Sequence, residues 1–234
     1  TQYTGSKYAI AVNSATSALH LACLALEMNE RDILWTVPIS FVASANCGRY
    51  CNAKIDFVDI DINSGLINVK NLKEKFKISK KENKLPSVLV VVHLAGTSCE
   101  MEEIFSLSKE YNFKIIEDAR HALGGIYKGR KVGSCFFSHI SIFSFHPVKI
   151  ITSGEGGVAT TNNEEIAEKI RDLRSHGIVR DSKRLLEEKV LETKYEQHNL
   201  GFNYRMTDIH ASLGLNQLKR LREIIKKRNE ILNL

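Results

Sequence analysis

The sequence predicts an α/β fold of three layers (α/β/α), in which helices cover both faces of a mostly parallel sheet. Two observations support this fold class. Short apolar segments of strand character alternate along the chain with segments of helical periodicity, as in parallel sheets whose strands are joined by crossover helices. In addition, 43% of the 234 residues are hydrophobic, which is enough apolar material for one large core.

The first half of the chain is expected to supply the central strands and the helices between them. Strands are expected at 8–13, 33–38, 54–58, 88–94 and 113–117. Helices are expected at 18–28, 41–50, 69–76 and 101–111.

The second half is expected to contain a hairpin, two strands, a capped helix, an irregular charged excursion and a long final helix. These elements are expected at 127–132, 140–145, 157–161, 164–176, 179–199 and from 209 onward. Asn163 caps the first of these helices, and Thr207 and Asp208 cap the last. The last helix meets no stop signal, so it is expected to continue to the end of the chain.

Cysteine usage and the absence of targeting signals in the sequence argue for a cytoplasmic protein. The five cysteines are an odd number and form no Cys-x-x-Cys pair, so we expect reduced, buried thiols. Cys47 and Cys51 could share a helix face, but two ligands do not make a zinc site, so no metal is expected. No apolar run approaches the length of a membrane span, and no membrane partner is expected.

The net charge of +6 permits nucleic-acid binding but does not predict it. Acidic residues are interspersed among the lysines and arginines, which is typical of solvated helix faces. No aromatic-studded basic motif accompanies the charge, so no nucleic-acid partner is expected. A mildly basic surface also suits a small anionic substrate.

Lys149 is the first candidate for chemistry. It follows the apolar strand at 140–145 and the turn at Pro147, and its neighbours are apolar. Burial would lower the pKa of its amine and make that amine a nucleophile. The alternative is a lysine whose stem lies on the sheet while its charged end reaches water.

A second candidate is the start of the first helix, where Ser14, Ala15, Thr16 and Ser17 follow a strand. Hydroxyl residues there can cap the helix. Small polar residues at a helix start can equally form a site for a phosphate, because free N–H groups and the positive end of the helix dipole converge there. The residues alone leave both interpretations open.

Three further candidates follow strand ends, where open α/β sheets bind ligands. Asp118 and His121 come directly after the strand at 113–117, although a helix cap and a turn histidine are reasonable alternatives. Phe41 follows another strand and is either a core residue or a stacking platform. Together with Lys149 and the helix start, these residue types are what pyridoxal phosphate needs.

Seven stretches then match one family in order along almost the whole chain, including EDARHALG at 117–124 and FSFHPVK at 143–149. The others are at 13–21, 36–46, 154–157, 174–177 and 200–206. The sequence therefore resembles the DegT/DnrJ/EryC1/StrS sugar aminotransferases, which implies the large domain of a fold type I, aspartate aminotransferase-like enzyme. The resemblance further implies transfer of an amino group from glutamate to C4 of a UDP-linked 4-keto-6-deoxy-N-acetylhexosamine, in pseudaminic acid biosynthesis.

The resemblance implies a role for each candidate. Lys149 would bind the cofactor aldehyde covalently and then move protons, and Asp118 would pair with the pyridine nitrogen. His121 would contact the 3-oxygen of the ring, and Phe41 would stack on the ring. The phosphate would be bound by Ala15, Thr16 and Ser144, with Ser14 nearby, and by Asn203 of a neighbouring subunit in a homodimer that shares two active sites.

The same resemblance leaves alternatives open. The substrate could be another nucleotide-linked keto sugar; a family dehydratase is disfavoured because those enzymes replace the lysine with histidine. The sequence does not begin with Met, so we expect a fragment without its first segment and without the small C-terminal domain. On that expectation, 1–206 is the large domain and 207–234 begins the linking helix, and an inactive cofactor-binding fragment is the alternative of another class.

One position departs from the family pattern in a way that bears on the site. Arg120 stands where close relatives usually carry a small residue, so it is expected to alter the charge near the ring. His146, His176 and Arg205 also match motif positions, but the residues alone assign them no firm role.

Overall fold

The computed structural model of the protein describes residues 1–186 and 195–232, and its strands form one large sheet and two short ribbons. The strands are β1 (Tyr8–Val12), β2 (Ile33–Thr36), β3 (Lys54–Phe57), β4 (Val88–Val92), β5 (Lys114–Asp118), β6 (Ile126–Tyr127), β7 (Arg130–Lys131), β8 (Ile140–Ser144), β9 (Gly157–Thr161), β10 (Ile178–Val179) and β11 (Glu196–Gln197). The large sheet has the order β1-β9-β8-β5-β4-β2-β3. Within it, β9 pairs antiparallel with both of its neighbours, and the other pairings are parallel.

Helices cover both faces of this sheet. They are α1 (Ala15–Ala25), α2 (Ala43–Tyr50), α3 (Val69–Lys81), α4 (Met101–Tyr111), α5 (Glu164–Arg174), α6 (Asp208–Lys219) and α7 (Leu221–Leu232). In the described ranges, every helix is too short or too polar to cross a membrane. The predicted three-layer α/β fold with a mostly parallel sheet is confirmed.

The central strand β4 shows why the sheet needs two covering layers. Its five residues are all buried, because alternate side chains point to opposite faces. Val88 and Val90 pack in the cluster that contains α1 and α5, whereas Leu89 and Val91 pack in the cluster that contains α3 and α4. An apolar strand without polar alternation therefore has a core on each side.

Two predicted helix boundaries differ from the observed ones near the strand ends. The first helix begins at Ala15 instead of residue 18, because Ser14 is its N-cap and accepts a hydrogen bond from the backbone N–H of Ser17 at 3.1 Å. The second begins at Ala43, so Phe41 lies in the loop before it.

The prediction of one uninterrupted final helix is wrong. The helix ends at Lys219, and a second helix begins at Leu221. Arg220, with φ −94° and ψ 0°, separates the two helices. The break lets Leu221 become buried at 1% exposure in a cluster that also contains Leu123 and Phe143. Burial of these apolar side chains decides the helix geometry where local propensity alone would continue it.

The described part of the excursion expected at 179–199 contains short regular elements. A short 3₁₀ turn at Ser182–Arg184 and the ribbon of β10 with β11 lie within it. Residues 187–194 of that expectation lie outside the described residues. The predicted hairpin at 127–132 is confirmed as the antiparallel pair of β6 and β7.

At Gly157, the first residue of β9, the backbone of the sheet closely approaches the backbone at the start of α1. It lies opposite Val12 on one side and Ser144 on the other. A Cβ atom at this position would lie 2.6 Å from the backbone nitrogen of Ala15 and 2.6 Å from the carbonyl carbon of Ser14. These contacts are with backbone atoms, so no side-chain rotation can relieve them.

We therefore expect Gly157→Ala to destabilise the protein by about 2 kcal/mol, because overpacking against fixed backbone costs about that much. The measurement is the midpoint and slope of urea unfolding. Gly214→Ala in α6 is the matched control, because its added methyl would lie 3.3 Å from the Cβ of Ser153, a side-chain atom. Equal destabilisation by the two substitutions would contradict the proposed close approach at Gly157.

Candidate active site

A cavity of about 600 Å³ lies at the edge of the sheet where the parallel strands end. Its walls come from the start of α1, the loop before α2, the turn after β5 and the turn after β8. The predicted site residues among its lining are Ser14, Ala15, Thr16, Phe41, His121, Ser144 and Lys149. Most of the residues singled out from the sequence are therefore brought together, although they are far apart in the chain.

Lys149 lies in the turn that follows β8, and its side chain is only partly exposed. Its Nζ lies 2.9 Å from Nε2 of His121. Burial lowers the pKa of the Lys149 amine, the positive charge of Arg120 lowers it further, and Asp118 opposes them. The lysine therefore points into the cavity with a weakened hold on its proton, as a nucleophilic amine requires.

The pKa of His121 is lowered, like that of its neighbour Lys149. Burial lowers its pKa, and the positive charges of Lys149 and Arg120 lower it further. A neutral imidazole 2.9 Å from the lysine amine can share a proton with it. The pair is therefore suited to moving one proton at the cavity wall.

Asp118, the last residue of β5, is 1% exposed and has two strong partners. The hydroxyl of Ser44 donates to its Oδ2 at 2.6 Å, and an Nη2 of Arg120 lies 2.5 Å from the same oxygen. The backbone N–H of Arg120 is 3.5 Å from Oδ1, which is long for a cap. The helix-cap alternative is therefore weak, and Asp118 is a buried carboxylate satisfied by residues from two other positions of the chain.

The start of α1 has the geometry of an anion site. The oxygen of Ser14 accepts from the backbone N–H of Ser17, whose own hydroxyl donates to Asn13 at 2.6 Å. Capping thus uses Ser14 and Ser17, and it leaves the first-turn N–H groups of Ala15 and Thr16 beside the cavity. Capping and anion binding are compatible here, because they use different groups of the same turn.

Phe41 is 63% exposed, which excludes the alternative that it is a core residue. The guanidinium carbon of Arg120 lies 5.5 Å from the centre of its ring. The aromatic ring therefore lines the cavity, and a flat, positively charged group already lies near it.

Asn203 lies outside the lining of this cavity. It is exposed and forms an isolated antiparallel bridge with Ser175. Its expected contact with the cofactor of a neighbouring subunit stays a prediction. Arg205 is also exposed and also lies outside the lining of this cavity.

Sequence reasoning missed the residues that support Asp118. Ser44, fully buried on α2, connects Asp118 and Arg120 by accepting a hydrogen bond from Arg120 at 2.7 Å. Its position three residues after Phe41, inside a matching motif, was the available signal. Nothing in a single sequence shows that this hydroxyl meets a residue 74 positions away.

A second buried network lies on the opposite side of β5. His93 accepts the backbone N–H of Cys99 on Nδ1 at 3.2 Å, so its Nε2 carries the hydrogen and donates to Glu117 at 2.8 Å. Ser138 donates to the other oxygen of Glu117. Because Glu117 precedes Asp118, these bonds fix the end of the strand that carries the site carboxylate.

The residues present fit pyridoxal phosphate. Nδ1 of His121 is buried without a hydrogen-bond partner among the residues that the structure describes, so a polar ligand would satisfy an atom that the protein leaves open. The helix start suits a phosphate, Phe41 suits a ring, and Lys149 suits an aldehyde carbon.

Comparison with known proteins agrees with this geometry. The profile of the DegT/DnrJ/EryC1/StrS aminotransferase family matches residues 1–234. The chain is 47% identical over 232 residues to the UDP-4-amino-4,6-dideoxy-N-acetyl-beta-L-altrosamine transaminase of Campylobacter jejuni. That match covers 99% of this chain and 57% of the relative, so the chain spans little more than half the length of this curated protein.

Solved structures share the same fold. The Helicobacter pylori aminotransferase PseC, described as involved in the biosynthesis of pseudoaminic acid, superimposes with a TM-score of 0.84 at 36% identity, covering 98% of this chain and 57% of that one. A putative sugar aminotransferase of Streptococcus pneumoniae in its PLP-form gives 0.82 at 28% identity, with 99% and 60% covered. The expected cofactor, pyridoxal phosphate, is thereby confirmed at the level of the family. The chain belongs to the DegT/DnrJ/EryC1/StrS aminotransferase family.

Proposed function

We propose that this chain is the large domain of a nucleotide-sugar aminotransferase that moves an amino group from glutamate to C4 of a UDP-linked 4-keto-6-deoxy-N-acetylhexosamine. The observation that carries the proposal is the position of the Lys149 amine at the wall of the cavity. The pKa of this amine is lowered, and its Nζ lies 2.9 Å from Nε2 of His121. The other walls of the cavity suit a ring and a phosphate. The sugar is inferred from the 47% identity to the Campylobacter jejuni transaminase.

Each residue has a part that follows from its surroundings. When bound, pyridoxal phosphate supplies an aldehyde for amines and an electron-poor ring that stabilises negative charge at the amine carbon. The carboxylate of Asp118, at the end of β5, would pair with a positively charged group of the ligand. The hydroxyl of Ser44 orients that carboxylate. Lys149 takes and returns a proton, and His121 beside it accepts that proton in turn.

The walls of the cavity orient the ligand. Ala15, Thr16 and Ser144 offer backbone and hydroxyl groups to a phosphate, and the dipole of α1 favours its negative charge. Phe41 covers one face of a bound ring. Positioning of this kind supplies much of the rate of such reactions.

We further propose that the chain acts as a homodimer in the cytoplasm, with Asn203 reaching the partner's cofactor phosphate. Every side chain of α6, all within the described part of the chain, is at least partly exposed, including Ile209 at 81% and Leu215 at 62%. Apolar side chains exposed on one helix suit a subunit interface. The five cysteines are unpaired and buried, which suits a reducing compartment. In this proposal 1–206 is the cofactor-binding domain and 207–234 begins its connection to a small domain.

Lys149→Ala is expected to abolish covalent attachment of pyridoxal phosphate, because Lys149 is the one lysine among the described residues that line the cavity. The measurement is the visible absorbance band of the protein-bound cofactor, together with the mass added after borohydride reduction. Lys169→Ala is the matched control, since Lys169 is also partly buried but its pKa is raised by Glu165 and Glu27. A reduced adduct that survives in Lys149→Ala would rule out Lys149 as the attachment point.

Glutamate is expected to bleach the cofactor band of the 234-residue chain, and a UDP-linked 4-keto-6-deoxy-N-acetylhexosamine is expected to restore it. The measurement is absorbance after each addition, with mass analysis of the aminated sugar. A dTDP-linked keto sugar is the control substrate. Restoration by the dTDP sugar alone would refute the assigned sugar nucleotide. A band that forms but never bleaches with glutamate would identify a catalytically inactive cofactor binder.

A further inference from the structure

We propose that the guanidinium of Arg120 occupies the space between Asp118 and Phe41 that the cofactor ring would take, and that it must leave Asp118 before that ring can bind. Arg120 is thus a positioning residue that sets cofactor affinity by competing for the Asp118 carboxylate. The inference rests on the proposed function, because it assigns the ring to the space between Asp118 and Phe41.

The contacts of Arg120 are those that a protonated pyridine ring needs. One guanidinium nitrogen lies 2.5 Å from Oδ2 of Asp118 and 2.7 Å from the hydroxyl of Ser44. The centre of the guanidinium lies 5.5 Å from the centre of the Phe41 ring. The side chain is 6% exposed, so these contacts are made inside the protein.

The chemistry of the two groups is alike. A guanidinium is planar, delocalised and positively charged, it donates N–H to carboxylates, and it stacks on aromatic faces. A protonated pyridine ring is also planar and positive, and it donates one N–H. Oδ2 of Asp118 already accepts two hydrogen bonds, from Ser44 and Arg120, so the N–H of a ring reaches that oxygen only when one of these donors leaves.

The side chain of Arg120 is held by the hydrogen bonds of its Nη2, and it borders open space. Its Nε is buried without a hydrogen-bond partner among the described residues. Arg120 also lines a second cavity of about 590 Å³, whose walls include Gly124, Ile225 and Arg228. The Arg120 side chain therefore adjoins open space in two cavities.

Competition of this kind has opposite effects on the two states of the protein. Without ligand, Arg120 neutralises a carboxylate that is 1% exposed, and its removal leaves a buried charge unpaired. With ligand, the ring supplies the positive charge and Arg120 is displaced. Removing Arg120 should therefore weaken the ligand-free fold and strengthen ligand binding, whereas a purely structural arginine would weaken both.

The test measures equilibrium binding of pyridoxamine 5′-phosphate to the 234-residue chain by absorbance and by the shift of the thermal midpoint. This probe has no aldehyde, so it reports on the ring and phosphate positions independently of covalent attachment to Lys149. The variants are Arg120→Ser and Arg120→Gln; the second keeps most of the side-chain volume and serves if the first does not fold. Arg130→Ser is the matched control, because Arg130 stacks 3.4 Å from the centre of Phe136 at an exposed position outside the lining of the cavity.

We expect Kd to fall about tenfold or more in both Arg120 variants, because a charge-assisted hydrogen bond no longer has to be broken. We also expect the thermal midpoint of the ligand-free variants to fall, and Arg130→Ser to change neither quantity. Unchanged or weaker binding in both Arg120 variants, with normal binding by the unsubstituted chain, would overturn the inference alone. If neither the unsubstituted chain nor any variant bound the probe, the proposed cofactor site itself would fail, and the inference with it.

Discussion

The carboxylate of Asp118 at the end of β5 is the group on which the rest of the site depends. At 1% exposure it must be paired and hydrogen bonded, because an isolated buried charge is very costly. Ser44 and Arg120 supply that pairing from one side. From the other side, the hydrogen bonds of His93 and Ser138 to Glu117 hold the strand that presents it. The charge is therefore fixed in position before any ligand arrives.

Charge balance around that carboxylate explains the chemistry of its neighbours. Lys149 and Arg120 are both basic, and one carboxylate cannot neutralise two cations in a partly buried space. Burial and the charge of Arg120 lower the pKa values of Lys149 and His121, so these two groups release protons readily. The excess of positive charge at the cavity also favours an anionic ligand at the start of α1.

The antiparallel strand β9 lies between β1 and β8, and this arrangement brings the start of α1 close to Lys149 and Asp118. Most strands of the sheet run in one direction, so β5 and β8 end at the same edge as β1. The strand β9 returns between β8 and β1, and Gly157 allows the start of α1 to approach the sheet. A phosphate-binding turn, a lysine turn and a carboxylate thereby share one cavity wall.

Local patterns in the sequence determined the strands, most of the helices and the residue types of the site. Alternation and helical periodicity depend on neighbours two to four positions apart, and such neighbours can be read directly along the chain. The identities of Lys149, Asp118, His121, Phe41 and the small residues at 14–16 were likewise available from position and type.

Only the tertiary structure decided how distant positions meet. The bonds among Ser44, Asp118 and Arg120 depend on strand order and on how α2 packs on the sheet. The break at Arg220 accompanies the burial of Leu221 in a cluster with Leu123 and Phe143, which lie far from it in the chain. Contacts of this kind join residues many tens of positions apart, and no local periodicity encodes them, because their free energy arises only when the sheet has closed its core.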